Sequence, residues 1–102
     1  LVMGPDGHTA SLFPHSAALN VEDQWVVDND GPSVVPPARV TMTYPLLNNA
    51  RSIAFYVLGS EKAEMIKRIA TGTEGFETLP CKGIRPRNGE MVWYLDRASC
   101  GE

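Results

Sequence analysis

The chain has 102 residues, enough for one compact domain and too few for two. A hydrophobic share of 43% and a charged share of 21% are those of an ordinary globular protein that can bury a core. The net charge of -3 provides no basic field, which argues against nucleic acid and against an anionic membrane as partners. An anionic small molecule would have to be met by a few local cations.

Cys81 and Cys100 stand in no CxxC or Cys/His ligand spacing, so they are expected to be reduced thiols in a cytoplasmic protein. No apolar run approaches the ~20 residues that span a bilayer, and no signal-peptide pattern opens the sequence. The sequence begins at Leu1 without a Met, at what reads as the end of a strand, so a preceding segment is expected.

Leu1 to Met3 are apolar and run into the turn cluster Gly4-Pro5-Asp6-Gly7. His8 to Phe13 carry helix signals, stopped by Pro14, and predict a short helical turn launched from a glycine loop. Gln24 to Asp28, with Trp-Val-Val, predict a short strand, followed by a turn over Asp28 to Pro32. Arg39 to Tyr44 alternate, with Val40, Met42 and Tyr44 on one face and Arg39, Thr41 and Thr43 on the other. That is the period of a half-buried strand. Pro45 suits the first turn of a short helix through Leu46, Leu47 and Ala50.

Ile53 to Leu58 form an unbroken apolar run ending at Gly59, which predicts a strand buried on both faces of a parallel sheet. Ser60 is placed to cap the following helix, and Glu61 favours its positive end. Ala63, Ile66, Ile69 and Ala70 recur at helical spacing, and Gly72 is the expected terminator. Thr73 to Pro80 read as a surface loop, and Lys82, Arg85 and Arg87 make a modest basic run. Met91 to Leu95 predict the last strand, with Asp96 as cap of a short terminal helix. Trp25, Phe55, Tyr56 and Trp93 are expected in the core.

Strands alternating with helices indicate an α/β layered architecture. About four strands are fewer than a doubly covered parallel sheet uses. Residues 1–102 are therefore expected to form a single partial domain, the C-terminal portion of a larger one.

The chemistry-bearing feature is Gly4-Pro5-Asp6-Gly7-His8. Glycines permit a tight turn and close approach to a ligand, and an imidazole exchanges protons near neutral pH. Asp6 is placed to orient that ring, shape the turn or contact substrate hydroxyls. The alternative is an Asp-Gly turn followed by a histidine without a role. Lys62 falls in the first turn after Gly59, where helix N–H groups and a positive end hold phosphate, although a solvated lysine gives the same pattern. Arg39, beside the rigid Pro36-Pro37, is either a phosphate-binding guanidinium or a surface ion-pairing residue. His15 reads as an exposed structural histidine, and a His8/His15 metal site lacks a third ligand.

The stretch Met3-Gly4-Pro5-Asp6-Gly7-His8-Thr9-Ala10-Ser11-Leu12-Phe13-Pro14 resembles the signature loop of 6-phosphogluconolactonases. Pro36 to Thr43, Leu47 to Arg51, Gly59 to Ala63 and Trp93 to Asp96 resemble that family's later segments in the same order. Two positions depart from the pattern: Val2 stands where a glycine is usual, and His15 where a small residue follows the proline. The resemblance implies a three-layer α/β/α, modified Rossmann-like, mostly parallel sheet, of which this chain is the C-terminal part. It implies hydrolysis of 6-phospho-D-glucono-1,5-lactone to 6-phosphogluconate in the pentose phosphate pathway. His8 would activate water, Asp6 and Gly7 would form the sugar site, and Arg39 and Lys62 would hold the phosphate. No metal or organic cofactor is implied. Two alternatives stay open. One is an aminosugar-phosphate isomerase or deaminase on the same scaffold, although the loop ending Leu12-Phe13-Pro14 lacks the carboxylate that chemistry wants. The other is a non-catalytic sugar-phosphate-binding module. With the family's N-terminal half absent, the chain alone is expected to be poorly stable or inactive.

Overall fold

The computed structural model describes every residue from Leu1 to Glu102. In chain order the elements are β1 (Val26–Asp28), β2 (Val40–Met42), α1 (Tyr44–Leu47), β3 (Ser52–Val57), α2 (Ala63–Thr71) and β4 (Glu90–Leu95), with 3-10 turns at Ala17–Asn20, Ser60–Lys62 and Pro80–Gly83. β3 and β4 pair in parallel, from Ser52 opposite Glu90 to Val57 opposite Leu95. Leu1 extends this sheet on the other side of β3, since its nitrogen donates to the Ala54 carbonyl at 2.7 Å and its carbonyl accepts from Tyr56 N–H at 2.8 Å. β1 and β2 form a separate antiparallel pair, so the parallel sheet expected from the sequence does not take in every strand.

The core lies on one face of the parallel sheet. Ile53, Phe55 and Val57 point into it and meet Leu12, Met65, Leu79 and Ile84, with Ile66 and Ile69 of α2 packed alongside. Phe55 is fully buried and stacks on Trp93, ring centroids 4.0 Å apart and planes 10° from parallel. The opposite face is open: Tyr56, Leu58, Val92 and Tyr94 are exposed, and the two tyrosines stack on each other there. The expectation of a strand buried on both faces therefore holds for one face only. Tyr56 and Trp25, expected in the core, are 61% and 57% exposed.

In β2 the apolar and polar faces are reversed. Val40 and Met42 are exposed, while Thr41 and Thr43 are buried. The hydroxyls account for this, because each is spent on backbone. Thr41 Oγ1 accepts Ser11 N–H at 3.1 Å and donates to the Met42 carbonyl at 2.9 Å, and Thr43 Oγ1 donates to the Gln24 carbonyl at 2.6 Å.

Of the two expected ends of α2, the N-terminal one differs and the C-terminal one is as expected. Ser60 makes no capping bond; it begins a 3-10 turn, and Lys62 occupies the position before α2. Gly72 ends α2 in an extended conformation, and its N–H closes on the Arg68 carbonyl. Asp96 heads a closing turn: its carboxylate accepts Ser99 N–H at 2.9 Å and Gly59 N–H at 3.1 Å. These bonds, that from Ser99 foremost, hold its carboxyl below the usual range and tie the end of β4 to the turn after β3.

Candidate active site

The residues from Gly4 to Pro14 do not form a helix. The backbone groups there bond in other patterns. Gly4 N–H donates to the His8 carbonyl at 2.8 Å and Gly7 N–H to the Gly4 carbonyl at 3.1 Å, closing the segment into a tight loop. A second turn follows, in which Leu12 N–H meets the Thr9 carbonyl at 3.0 Å and Ala10 takes a left-handed φ of 52°. That conformation is disfavoured for alanine. It is held by its surroundings: buried Thr9 donates to the Val2 carbonyl, and Asn29 Nδ2 donates to the Ser11 carbonyl at 2.7 Å.

The loop sits beyond the C-terminal ends of the parallel strands, where open α/β sheets place ligands. Lys62, at the start of the helical segment after β3, donates from Nζ to the Met3 carbonyl at 2.5 Å. The loop and the lysine thus meet at the same end of the sheet.

Asp6 and His8 are paired. The Asp6 carboxylate contacts His8 Nδ1 and also accepts His8 N–H at 3.2 Å. A carboxylate can only accept, so in the neutral imidazole this contact calls for the hydrogen on Nδ1 and the lone pair on Nε2. The His8 side chain is 18% exposed, open enough to meet a small molecule yet largely walled. One wall is Phe13, whose ring centroid lies 5.0 Å from that of the imidazole. The Arg39 guanidinium carbon lies 6.0 Å from the same Phe13 ring, within reach of a cation–π contact. Arg39 is steadied by the Pro36 carbonyl, which accepts from Nε at 2.7 Å.

Behind the loop, Cys81 N–H donates to the Gly7 carbonyl at 2.9 Å and Cys81 Sγ lies 3.7 Å from the His8 carbonyl oxygen. Burial pushes the Cys81 thiol up to about 12, with the Asp6 carboxylate adding to the rise and Lys62 opposing it. Cys81 is therefore a packing residue with an inert thiol.

Of the residues expected at the site, Asp6, Gly7 and His8 share one loop, Lys62 is bonded to its first residues, and Arg39 reaches it through Phe13. Thr41 carries the loop from beneath. His15 is exposed. Sequence reasoning missed Phe13 as the link between His8 and Arg39, and Cys81 and Asn29 as supports. The invariably polar face of β2 was the available signal for Thr41, and an isolated Asn before a glycine turn gave none for Asn29.

A separate cleft of about 650 Å³ lies between α2 and β4, lined mainly by apolar residues such as Ile69, Phe76, Ile84 and Trp93. Of its charged residues, Glu74 is paired with Arg68, and Lys82 donates to the Gly72 and Glu74 carbonyls. Its Tyr44 hydroxyl donates to the Pro80 carbonyl at 2.6 Å, and burial first, then the nearby Cys81 and Glu77, raise its ionisation above the ordinary tyrosine value.

The chain is similar over nearly its whole length to known proteins. The probable 6-phosphogluconolactonase 1 of Oryza sativa subsp. japonica is 42% identical over 102 residues, covering 97% of this chain and 34% of the rice protein. The 6-phosphogluconolactonase of Rattus norvegicus is 41% identical over 99 residues, covering 97% of this chain and 38% of its own. Among solved structures, the 6-phosphogluconolactonase of Trypanosoma brucei superposes with a TM-score of 0.83 at 27% identity, covering 99% of this chain and 40% of that one. The chain thus spans between a third and two-fifths of the length of these relatives. No helix in the structure is long and apolar enough to cross a membrane. Residues 1–93 match the profile of the glucosamine-6-phosphate isomerases/6-phosphogluconolactonase family, and the chain belongs to that family.

Proposed function

We propose that this chain provides the catalytic base and phosphate-side contacts of a 6-phosphogluconolactonase, acting as one portion of a larger cytoplasmic domain. The observation that carries the reading is the Asp6–His8 pair at the ligand-binding end of the sheet. With Nδ1 protonated and facing Asp6, His8 Nε2 takes a proton from water as the water oxygen adds to the lactone carbonyl carbon. The tetrahedral adduct then collapses. The bond from that carbon to the ring oxygen breaks, and the proton on Nε2 passes to the departing oxygen, giving the open-chain acid. A lactone is an activated ester, so a positioned water and one base are sufficient.

Arg39 and Lys62 are the cations available for the substrate phosphate. Each spends part of its donor set on backbone carbonyls and keeps further N–H groups free, three in total being present on an ammonium and five on a guanidinium. A phosphate held away from the reacting carbon converts binding energy into orientation. The uncovered sheet face and the coverage of the relatives support the view that further chain completes the domain. Two free cysteines support a reducing compartment.

The test is a coupled assay of the full-length gene product on freshly generated lactone, corrected for spontaneous hydrolysis. His8→Ala is expected to lower kcat by about 100- to 10,000-fold while KM changes little. An unaltered kcat would remove His8 from the mechanism.

A further inference from the structure

Gly4 and Gly7 bracket one turn and are glycines for different reasons. Gly7 has a φ of 82°, in the left-handed region that side-chain-bearing residues avoid, and a Cβ there would also press on Leu79 and Met65 at 3.0 and 3.1 Å. Gly4 is not in that region, so its φ does not call for glycine. Its space does. A Cβ on Gly4 would overlap the His8 ring, 2.1 Å from Cε1, 2.3 Å from Nδ1 and 2.8 Å from Nε2. All three nearest atoms belong to the imidazole.

We infer that Gly4 is a positioning residue for His8: its bare Cα is the floor on which the imidazole lies, and the missing side chain sets the ring orientation that meets Asp6. The ring is bounded by this floor, by the Asp6 carboxylate at Nδ1 and by the tilted Phe13 ring. Floor and ring are fixed to each other, because Gly4 N–H donates to the carbonyl of His8 itself. A methyl group at residue 4 cannot be relieved by moving the loop away, since that bond draws the two residues together. The imidazole must rotate instead, and rotation takes Nδ1 from Asp6. The consequence for turnover rests on the lactonase reading, whereas the geometric part does not.

The experiment is Gly4→Ala in the full-length gene product, alone and combined with His8→Ala. Imidazole 15N resonances read the ring directly. The parent is expected to show His8 with hydrogen on Nδ1, and Gly4→Ala a mixture of tautomers. Turnover should fall about 100-fold in kcat, the scale set by a misplacement of about 1 Å, with KM nearly unchanged. Thermal stability lost by Gly4→Ala should be restored in the His8→Ala background, where the space above residue 4 is empty. A parent-like 15N pattern in Gly4→Ala, or a stability loss of equal size in both backgrounds, would overturn the inference. Absence of lactonase turnover in the parent would overturn the functional reading instead, while the resonances and the double-variant comparison still decide the role of Gly4.

Discussion

The His8 loop and the apolar cleft lie on either side of Cys81, and they are built by opposite means. On the loop side, side chains are fixed by hydrogen bonds: Asp6 to His8, Thr9 to Val2, Lys62 to Met3, Asn29 to Ser11. On the cleft side, Phe76, Ile84 and Trp93 help enclose about 650 Å³, and the titratable Tyr44 and Cys81 are pushed towards their neutral forms. A base needs a polar partner to fix its proton, and Asp6 supplies one to His8 on the loop side.

If that contrast is right, damage on the cleft side should appear in stability and damage on the loop side in catalysis. The largest effect is expected at Phe55, whose stack on Trp93 closes the core. Phe55→Ala should cost about 3–5 kcal/mol by chemical denaturation of the full-length protein, with kcat of the remaining folded fraction intact. A comparable loss of kcat in that fraction would mean that the two sides are not independent.

Alkaline pH sharpens the same contrast. The folded Cys81 thiol holds its proton from the ordinary value of 9.0 up to about 12, whereas the unfolded chain releases it. The raised folded value means that this contribution is fully present below pH 9 and is lost as pH rises through the window to 12. The stability lost should approach about 1.4 kcal/mol per pH unit for one such proton. Denaturation midpoints measured across that window should fall less steeply in Cys81→Ala than in the parent. Identical slopes would show that the thiol does not contribute.

The smallest effect is expected at Lys62. Lys62→Ala removes a cation and its bond to Met3, and should raise KM several-fold with a lesser change in kcat, as expected for a contact made equally to substrate and transition state. A KM at the parent value would take Lys62 out of the phosphate site and leave it as a tether of the loop.

The sequence made parts of this legible for physical reasons. The run from Ile53 to Leu58 followed by Gly59 predicts a strand turning into a helix, and β3 and α2 are there, with only one face of the strand covered. The loop from Met3 to Pro14 was recognisable by its resemblance to the lactonase signature. Its conformation was not recognisable, because helix signals in His8 to Phe13 are overridden by tertiary bonds that hold Ala10 at positive φ. The reversed faces of β2 were hidden for a related reason. Alternation identifies a strand, but which face is buried depends on what the neighbours need, and here the loop needs hydroxyls. The open sheet face was equally illegible, since an apolar run reports that a surface is suited to burial and says nothing about what covers it. Gly4 looked like one more flexible turn residue until the imidazole was seen resting on it.

The buried hydroxyls of Thr9 and Thr41 and the Asn29 amide are all satisfied within the protein itself. Any ligand that met the loop would find a mould already set, with little of its affinity diverted to arranging the chain around it.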